Sequence, residues 1–281
     1  MGDEGAKVKK SGERDSVNEQ AKAIFITGGG SGIGRAVAQR FAREGWHIGL
    51  ADVNAAGLTE TAALLPEGKA STHMMDVRDR AAWEATLAEF TAITGGRVDV
   101  LMNNAGIAVS GPFAQTDPAE LERIVAINLM GVVHGAHVGY RHLKATPGAC
   151  LVNTASAAGI WGSANAAIYS ATKAGVRGLS ESLDAEWAKD GIRVACLMPS
   201  FIDTPLLDET ITGSNRQVRD QVRSLGLEFT PVEDVAERVW QAVHGDALHI
   251  IVGKTARRLQ FGARFFPNRV RKQLRSRGLR R

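Results

Sequence analysis

At 281 residues, 44% hydrophobic with 31 glycines, the chain suits one large α/β domain that can bury its core without staples. Cys150 and Cys196 each sit in an apolar strand-like run, which argues against a disulfide framework and for a reducing, cytoplasmic setting. No run reaches the ~18 uninterrupted apolar residues of a membrane span, and the polar N-terminus excludes a secretory signal. The net charge of +4 is unevenly spread: residues 254–281 hold eleven Lys or Arg and no acid, leaving 23 basic against 30 acidic side chains in 1–253.

In chain order, residues 1–20 mix charges with Gly, Ser and Asn, show no apolar period, and read as a disordered leader. Strands then alternate with helices at βαβ spacing, which predicts a doubly wound parallel sheet covered on both faces within one domain over 21–253. The strand candidates are 23–27, 47–51, 71–75, 98–103, 149–154, 193–198 and 249–252. Helices are expected near 33–44, 55–64, 79–93, 118–142, 165–189 and 231–244. Two helix starts carry N-cap, proline and glutamate in order, Asp117-Pro118-Ala119-Glu120 and Thr230-Pro231-Val232-Glu233.

The first strand runs into Gly28-Gly29-Gly30-Ser31-Gly32-Ile33-Gly34, followed by Ala36, Val37, Ala38 and Phe41 at helical spacing. Glycines admit positive φ and a close-lying ligand. The following helix aims free N–H groups and its positive dipole end at the gap, which suits a diphosphate. Three residues separate Gly28 from Gly32, a variant of the usual dinucleotide fingerprint, and a glycine turn without ligand is the competing reading.

The second strand ends in Asp52, twenty-four residues after Gly28. An acid there accepts from adenosine ribose hydroxyls and repels a 2′-phosphate. Neither Ser31 nor Val53 is a cation that would welcome that phosphate, so NAD is favoured over NADP. The third strand runs out at Asp76-Val77 and the fourth at Asn103-Asn104-Ala105-Gly106, both at the carboxyl edge where open α/β sheets bind ligands. Asp76 could take an adenine amino group and Asn104 could fix backbone and cofactor together; singly, each is more often a turn residue than a ligand.

In Tyr169-Ser170-Ala171-Thr172-Lys173 a phenol and an ammonium four residues apart share a helix face. A cation held close favours the phenolate and is expected to lower the tyrosine pKa toward the range of acid–base work. Thirteen residues earlier Ser156 stands at the end of the fifth strand, placed to donate to a substrate carbonyl. A solvated surface pair competes for the Tyr-x-x-x-Lys spacing when it is taken alone.

With these residues in order the chain resembles the short-chain dehydrogenase/reductase family, in its shorter single-domain branch, from about Ala23 to Val252. Thr27-Gly28-x-x-x-Gly32-Ile33-Gly34 resembles the family's cofactor loop, Asp76 its adenine-binding aspartate, and Asn104-Ala105-Gly106 its Asn-Ala-Gly element. Asn128 resembles the active-site asparagine whose main chain holds a relay water; Ser156, Tyr169 and Lys173 match the rest of the catalytic set. Pro199-Ser200-Phe201-Ile202-Asp203-Thr204 resembles the segment that meets the nicotinamide, through the Ile202 backbone and Thr204. Ser200 stands where glycine is usual, and if the position needs positive φ, serine adds strain.

The resemblance implies a Rossmann-like sheet of about seven strands and a hydride transfer between NAD and a secondary alcohol or ketone. Tyr169 is the implied acid or base, with Lys173 also on the nicotinamide ribose. A non-catalytic dinucleotide-binding or sensing protein of the same fold is the alternative. Residues 205–229 fall at the family's substrate lid, where Leu206, Leu207 and Leu225, with Trp161 as an aromatic wall, either favour an apolar substrate or simply pack the lid down. The helices holding Asn128 and Tyr169 are the implied dimer face, within a dimer or homotetramer. That role suits His134, His137, His142 and Tyr140 better than a metal site, which needs more ligands.

The basic extension 254–281 lies beyond the family core. Leu259, Phe266, Val270 and Leu274 recur at helical spacing, with a kink expected at Pro267. Packing against protein is preferred for it, peripheral membrane contact comes second, and nucleic acid is not expected.

Overall fold

The computed structural model describes residues 21–278. The expected leader 1–20 and the last three residues of the basic extension lie outside them. Seven strands form one sheet in the order β3-β2-β1-β4-β5-β6-β7: β1 (Ala23–Thr27), β2 (His47–Asp52), β3 (Ala70–Met74), β4 (Val100–Asn103), β5 (Cys150–Thr154), β6 (Arg193–Pro199) and β7 (His249–Val252). Every pairing is parallel, with Ile24 opposite Ile48 on one side and Val100 on the other. Strand order reverses between β1 and β4, which opens a crevice beyond their carboxyl ends.

Alternation along β1 divides the core. Ile24 and Ile26 join Leu50, Met102 and Leu197 under α1 (Gly32–Ala42), α2 (Ala55–Ala63) and α8 (Val232–His244), where Phe41 meets Trp46 and Trp240 edge-on at 5.0 Å. Phe25 points the other way, into Trp83, Phe90, Leu101 and Leu151, under α3 (Arg80–Ile93), α5 (Gly131–Ala145) and α6 (Ala167–Trp187). Central strands buried on both faces need near-continuous apolar runs, which is why the sequence shows them so clearly.

The expected helix over 118–142 is interrupted. It consists of α4 (Pro118–Val125), a π turn (Ala126–Met130) and α5, and the π turn carries Asn128. The two helix starts also diverge. Asp117 caps α4 by accepting from Ala119 N–H, whereas α8 has no side-chain cap. Thr230 is drawn instead into backbone pairing with the 201–203 segment, donating to Phe201 O and accepting from Asp203 N.

Past β7 the extension folds into two helices, α9 (Lys254–Phe265) and α10 (Pro267–Gly278), parted at Phe266 and Pro267. Fully buried Ala256 seats α9 in a cluster with Ala155, Met198 and Ile251. The short α7 (Val218–Ser224) sits in the segment expected to form the lid.

Candidate active site

A cavity of about 1420 Å³ runs along the carboxyl edge of the sheet. At one end the glycine turn lifts β1 into α1. Gly34 packs so closely on the strand exit that a Cβ there would meet Gly28 O at 2.1 Å, so Gly34 shapes the turn from behind while Gly28, Ser31, Gly32 and Ile33 line the cavity. Asp52 lines it too, its carboxylate accepting from Gly30 N–H and Asn54 N–H, both at 3.0 Å. Val53, Asp76, Val77, Asn104, Ala105 and Gly106 complete this end.

Asp76 is gripped by Arg78 at 2.6 Å, and that guanidinium holds its carboxyl below the usual range. The sequence reading missed Arg78; a cation two residues after a strand-end acid was the available signal. Thr27, expected among the cofactor contacts, does not line the cavity. Its hydroxyl accepts from Asn104 N at 3.0 Å and Ala105 N at 3.1 Å, while Asn104 Nδ2 donates to Thr27 O at 3.0 Å. Together they rivet the end of β1 to the end of β4.

The catalytic candidates gather at the middle. Ser156 opens a 3₁₀ turn (Ala157–Gly159) after β5, its Oγ accepting from Ala158 N at 3.2 Å. Tyr169 lies in the first turn of α6 and Lys173 one turn later. Both line the cavity with Ser156. Lys173 Nζ donates to Thr154 O at 2.8 Å and stands 5.7 Å from the centre of the Tyr169 ring.

Burial sets the protonation here. It pushes the Tyr169 phenol above its ordinary value, and a hydrogen bond with Ser156 works only partly against it. Burial also brings the Lys173 ammonium down to about 8. The depressed phenol expected from the neighbouring cation is therefore reversed in this protein: burial raises it, and the opposing pull comes from Ser156, not from Lys173.

Asn128 is fully buried and does not line the cavity. Its amide is spent on one neighbour, accepting from Ile107 N at 2.9 Å and donating to Ile107 O at 2.8 Å, which pins the loop after β4 to the π turn. Behind these candidates runs a polar ladder the sequence did not reveal. Asn103 Nδ2 donates to Asn153 Oδ1 at 2.9 Å, and Asn153 Nδ2 to Ser180 Oγ at 3.1 Å. The ladder ties β4, β5 and α6 into one block. Nearby, His134 and His137 meet Val77 O and Arg80.

At the far end Pro199, Ser200, Ile202, Thr204, Leu206 and Leu207 line the cavity. Asn165 is the one non-glycine at positive φ among the described residues, so Ser200 carries no such strain. Its space comes from Gly253, where a Cβ would lie 2.0 Å from Ser200 Oγ. Trp161 is not in the wall; the chain past the 3₁₀ turn presents Ser163, Ala164, Asn165 and Ala166 there instead. Arg219 of α7 grips Asp203, Asp208 (2.5 Å) and Thr204 O (3.0 Å), clasping the lid to the 199–204 segment. The remaining wall is the extension itself, through Leu259, Phe266, Val270 and Leu274 among others.

A family profile described as short chain dehydrogenase matches residues 22–215. A meso-2,3-butanediol dehydrogenase of Serratia marcescens is 36% identical over 218 residues, spanning 76% of this chain and 84% of that protein. A levodione reductase of Leifsonia aquatica is 37% identical over 195 residues, 68% of this chain and 73% of its own. Among solved structures, a short-chain dehydrogenase/reductase from Burkholderia phymatum in complex with NAD superposes with a TM-score of 0.78 at 27% identity, covering 90% of this chain and 95% of that one. On the glycine turn, the strand order, the gathered Ser156, Tyr169 and Lys173, and these likenesses, the chain belongs to the short-chain dehydrogenase/reductase family.

Proposed function

We propose that the protein is an NAD-dependent oxidoreductase that interconverts a secondary alcohol and a ketone, with Tyr169 as the acid or base. The observation that carries this reading is one cavity holding Ser156, Tyr169 and Lys173 together with the glycine turn and Asp52. The residues suit a dinucleotide: the first turn of α1 bears no acid, so its free N–H groups face a diphosphate unopposed. Asp52 stands where ribose hydroxyls would be held and a 2′-phosphate repelled. The alcohol or ketone specificity of the butanediol and levodione enzymes is in keeping with the same reaction class.

The bound nicotinamide supplies the hydride chemistry. Ser156, its hydroxyl oriented by Ala158 N–H, holds the substrate oxygen. Tyr169, kept protonated at neutral pH by burial, gives its proton to that oxygen during ketone reduction. In the oxidative direction the phenol must first give up its proton, and the Lys173 ammonium beside the ring favours the phenolate. With its pKa near 8 Lys173 is mostly charged at pH 7 and can also hold the nicotinamide ribose. Asn128 keeps its side chain bound to Ile107, and by the family resemblance its main chain is the part that would hold a relay water. Leu206, Leu207 and the apolar side chains of the extension favour an apolar substrate, and α5 and α6 provide the face for a dimer or tetramer.

The test is a screen of secondary alcohols, steroids and terpenols with NAD, following the absorbance of NADH, beside binding titrations of NADH and NADPH. Turnover with tighter NADH binding is expected. Equal affinity for the two cofactors would overturn the choice of NAD, and NADH binding without turnover of any alcohol or ketone would make the chain a dinucleotide-binding protein.

A further inference from the structure

The extension has two faces with opposite characters. Its inner side packs on the catalytic body: Ala256 and Val270 are buried, and a Cβ on Gly262 would lie 2.9 Å from Val270, so α9 and α10 cross at close range. Its outer side shows three phenylalanines, Phe261, Phe265 and Phe266, that are 59, 57 and 44% exposed. Their rings cluster, Phe261 lying 5.0 Å from Phe265 and 6.0 Å from Phe266. Guanidiniums flank them, Arg264 at 5.5 Å from the Phe265 ring and Arg269 at 5.2 Å from the Phe266 ring. Lys254 and Arg257 are also exposed, and the sequence places no Asp or Glu anywhere in 254–281.

A contiguous aromatic patch facing water marks a surface made for a partner. Rings and cations on one exposed face, with no carboxylate, match the apolar interior and negative headgroups of an anionic bilayer. The body's own acidic balance makes a second copy of the chain the rival occupant. A copy seated there would need carboxylates for the cations together with an apolar socket for three rings, whereas a bilayer presents both along its whole surface.

We propose that α9 and α10 dock the protein on an anionic membrane surface, with Phe261, Phe265 and Phe266 inserted among the lipids. Phe266 and Arg269 also line the cavity, so docking through this face sets that side of the cavity against the bilayer. Resting on the reading of that cavity as a substrate site, the orientation delivers a lipid-dissolved alcohol or ketone directly to Tyr169.

The experiment is flotation of the full-length protein with phosphatidylcholine vesicles, pure or containing phosphatidylglycerol, read without turnover. Binding at least tenfold stronger to the anionic vesicles is expected, with at least tenfold loss in F261S/F265S. Neither of those residues lines the cavity, so turnover of a water-soluble alcohol by this variant should match the unmodified enzyme. If that variant unfolds on heating at a lower temperature, R257E/R264E replaces it with the same expectation. Absence of vesicle binding, or equal binding by both variants and the parent, overturns the proposal. So does a concentration-dependent dimer in sedimentation velocity that F261S/F265S dissolves, since that would place a second copy on the patch. Vesicle binding by a protein that turns over no alcohol would leave the docking standing and remove only the function assigned to the cavity.

Discussion

The two ends of the cavity are held by different means. At the glycine turn the wall is strand-end backbone with short side chains locked to it: Thr27 to Asn104 and Ala105, Asp52 to Gly30, and the Asn103–Asn153–Ser180 ladder underneath. At the far end the wall is a loop, the seven-residue α7 and two helices beyond the sheet, joined by Arg219's grip on exposed carboxylates. Buried hydrogen bonds fix a geometry strongly, while surface ion pairs fix it weakly. The first end is therefore the more constant of the two, and the second the more open to remodelling.

The sharpest way to separate the ends is to remove the chemistry and leave the binding. Tyr169→Phe keeps the ring and its packing and loses the proton. Loss of kcat by ~10²–10⁴-fold is expected for a general acid–base group, with NADH affinity, measured by fluorescence titration, unchanged. Activity within a few fold of the parent would take the proton transfer away from Tyr169.

Lys173 makes the constant end pH-sensitive. Its folded value, about 8, lies below the ordinary 10.5, so the folded state disfavours the charged form. That penalty is fully present below about pH 8 and is relieved as pH rises toward 10.5, so this group adds stability on going alkaline. The shift corresponds to ~3 kcal/mol. Lys173→Met has no such term, and its stability relative to the parent should fall between pH 7 and 10 in denaturant unfolding. A gap independent of pH would mean the ammonium is not desolvated as described.

At the glycine turn, Asp52→Ala removes an acceptor from Gly30 and Asn54 together with the negative charge proposed to repel a 2′-phosphate. A charge-assisted hydrogen bond of ordinary strength corresponds to ~10-fold or more in affinity, so the preference for NADH over NADPH should shrink by about that factor. An unchanged ratio would move the discrimination elsewhere, with Arg78 next to test.

Much of the constant end could be read from the chain. Fully buried parallel strands are apolar throughout, so they stand out, and acids or amides at their ends announce the ligand edge. What escaped detection depends on alignment between distant segments. Asn103, Asn153 and Ser180 form a ladder only once β4, β5 and α6 are in register. The π turn at Asn128 went unseen because it sits inside the apolar run of 118–142, and Gly131 directly after it is only one of several glycines in that run. Asp117 and Thr230 carry the same local signature, yet only Asp117 caps a helix, since the backbone at 201–203 claims Thr230. Trp161 was a reasonable wall by position and misses it because the 3₁₀ turn carries the chain past. The amphipathic period of 254–281 was visible, but its fold over the cavity depends on Ala256 meeting Ala155 and Met198, far away in sequence, and on Gly262 letting Val270 of the next helix come close.

The weakest link at the variable end is also the most informative to break. Arg219 joins Asp203, Thr204 and Asp208 across the lid, and none of these four side chains is in the catalytic set. Asp203 and Asp208 are largely exposed, so each ion pair contributes ~0.2–1 kcal/mol. Arg219→Ala should therefore raise KM for the alcohol roughly three- to fivefold, as the cost of holding the lid against the 199–204 segment shifts to substrate binding. The value of kcat should change less than twofold, because Ser156, Tyr169 and Lys173 are fixed from the sheet side. Since the clasp is charged and solvent-facing, added salt should raise KM in the parent enzyme and leave the variant nearly unaffected. If kcat falls in step with kcat/KM instead, the lid takes part in shaping the reacting geometry, and the separation between a fixed chemical end and an adjustable substrate end fails.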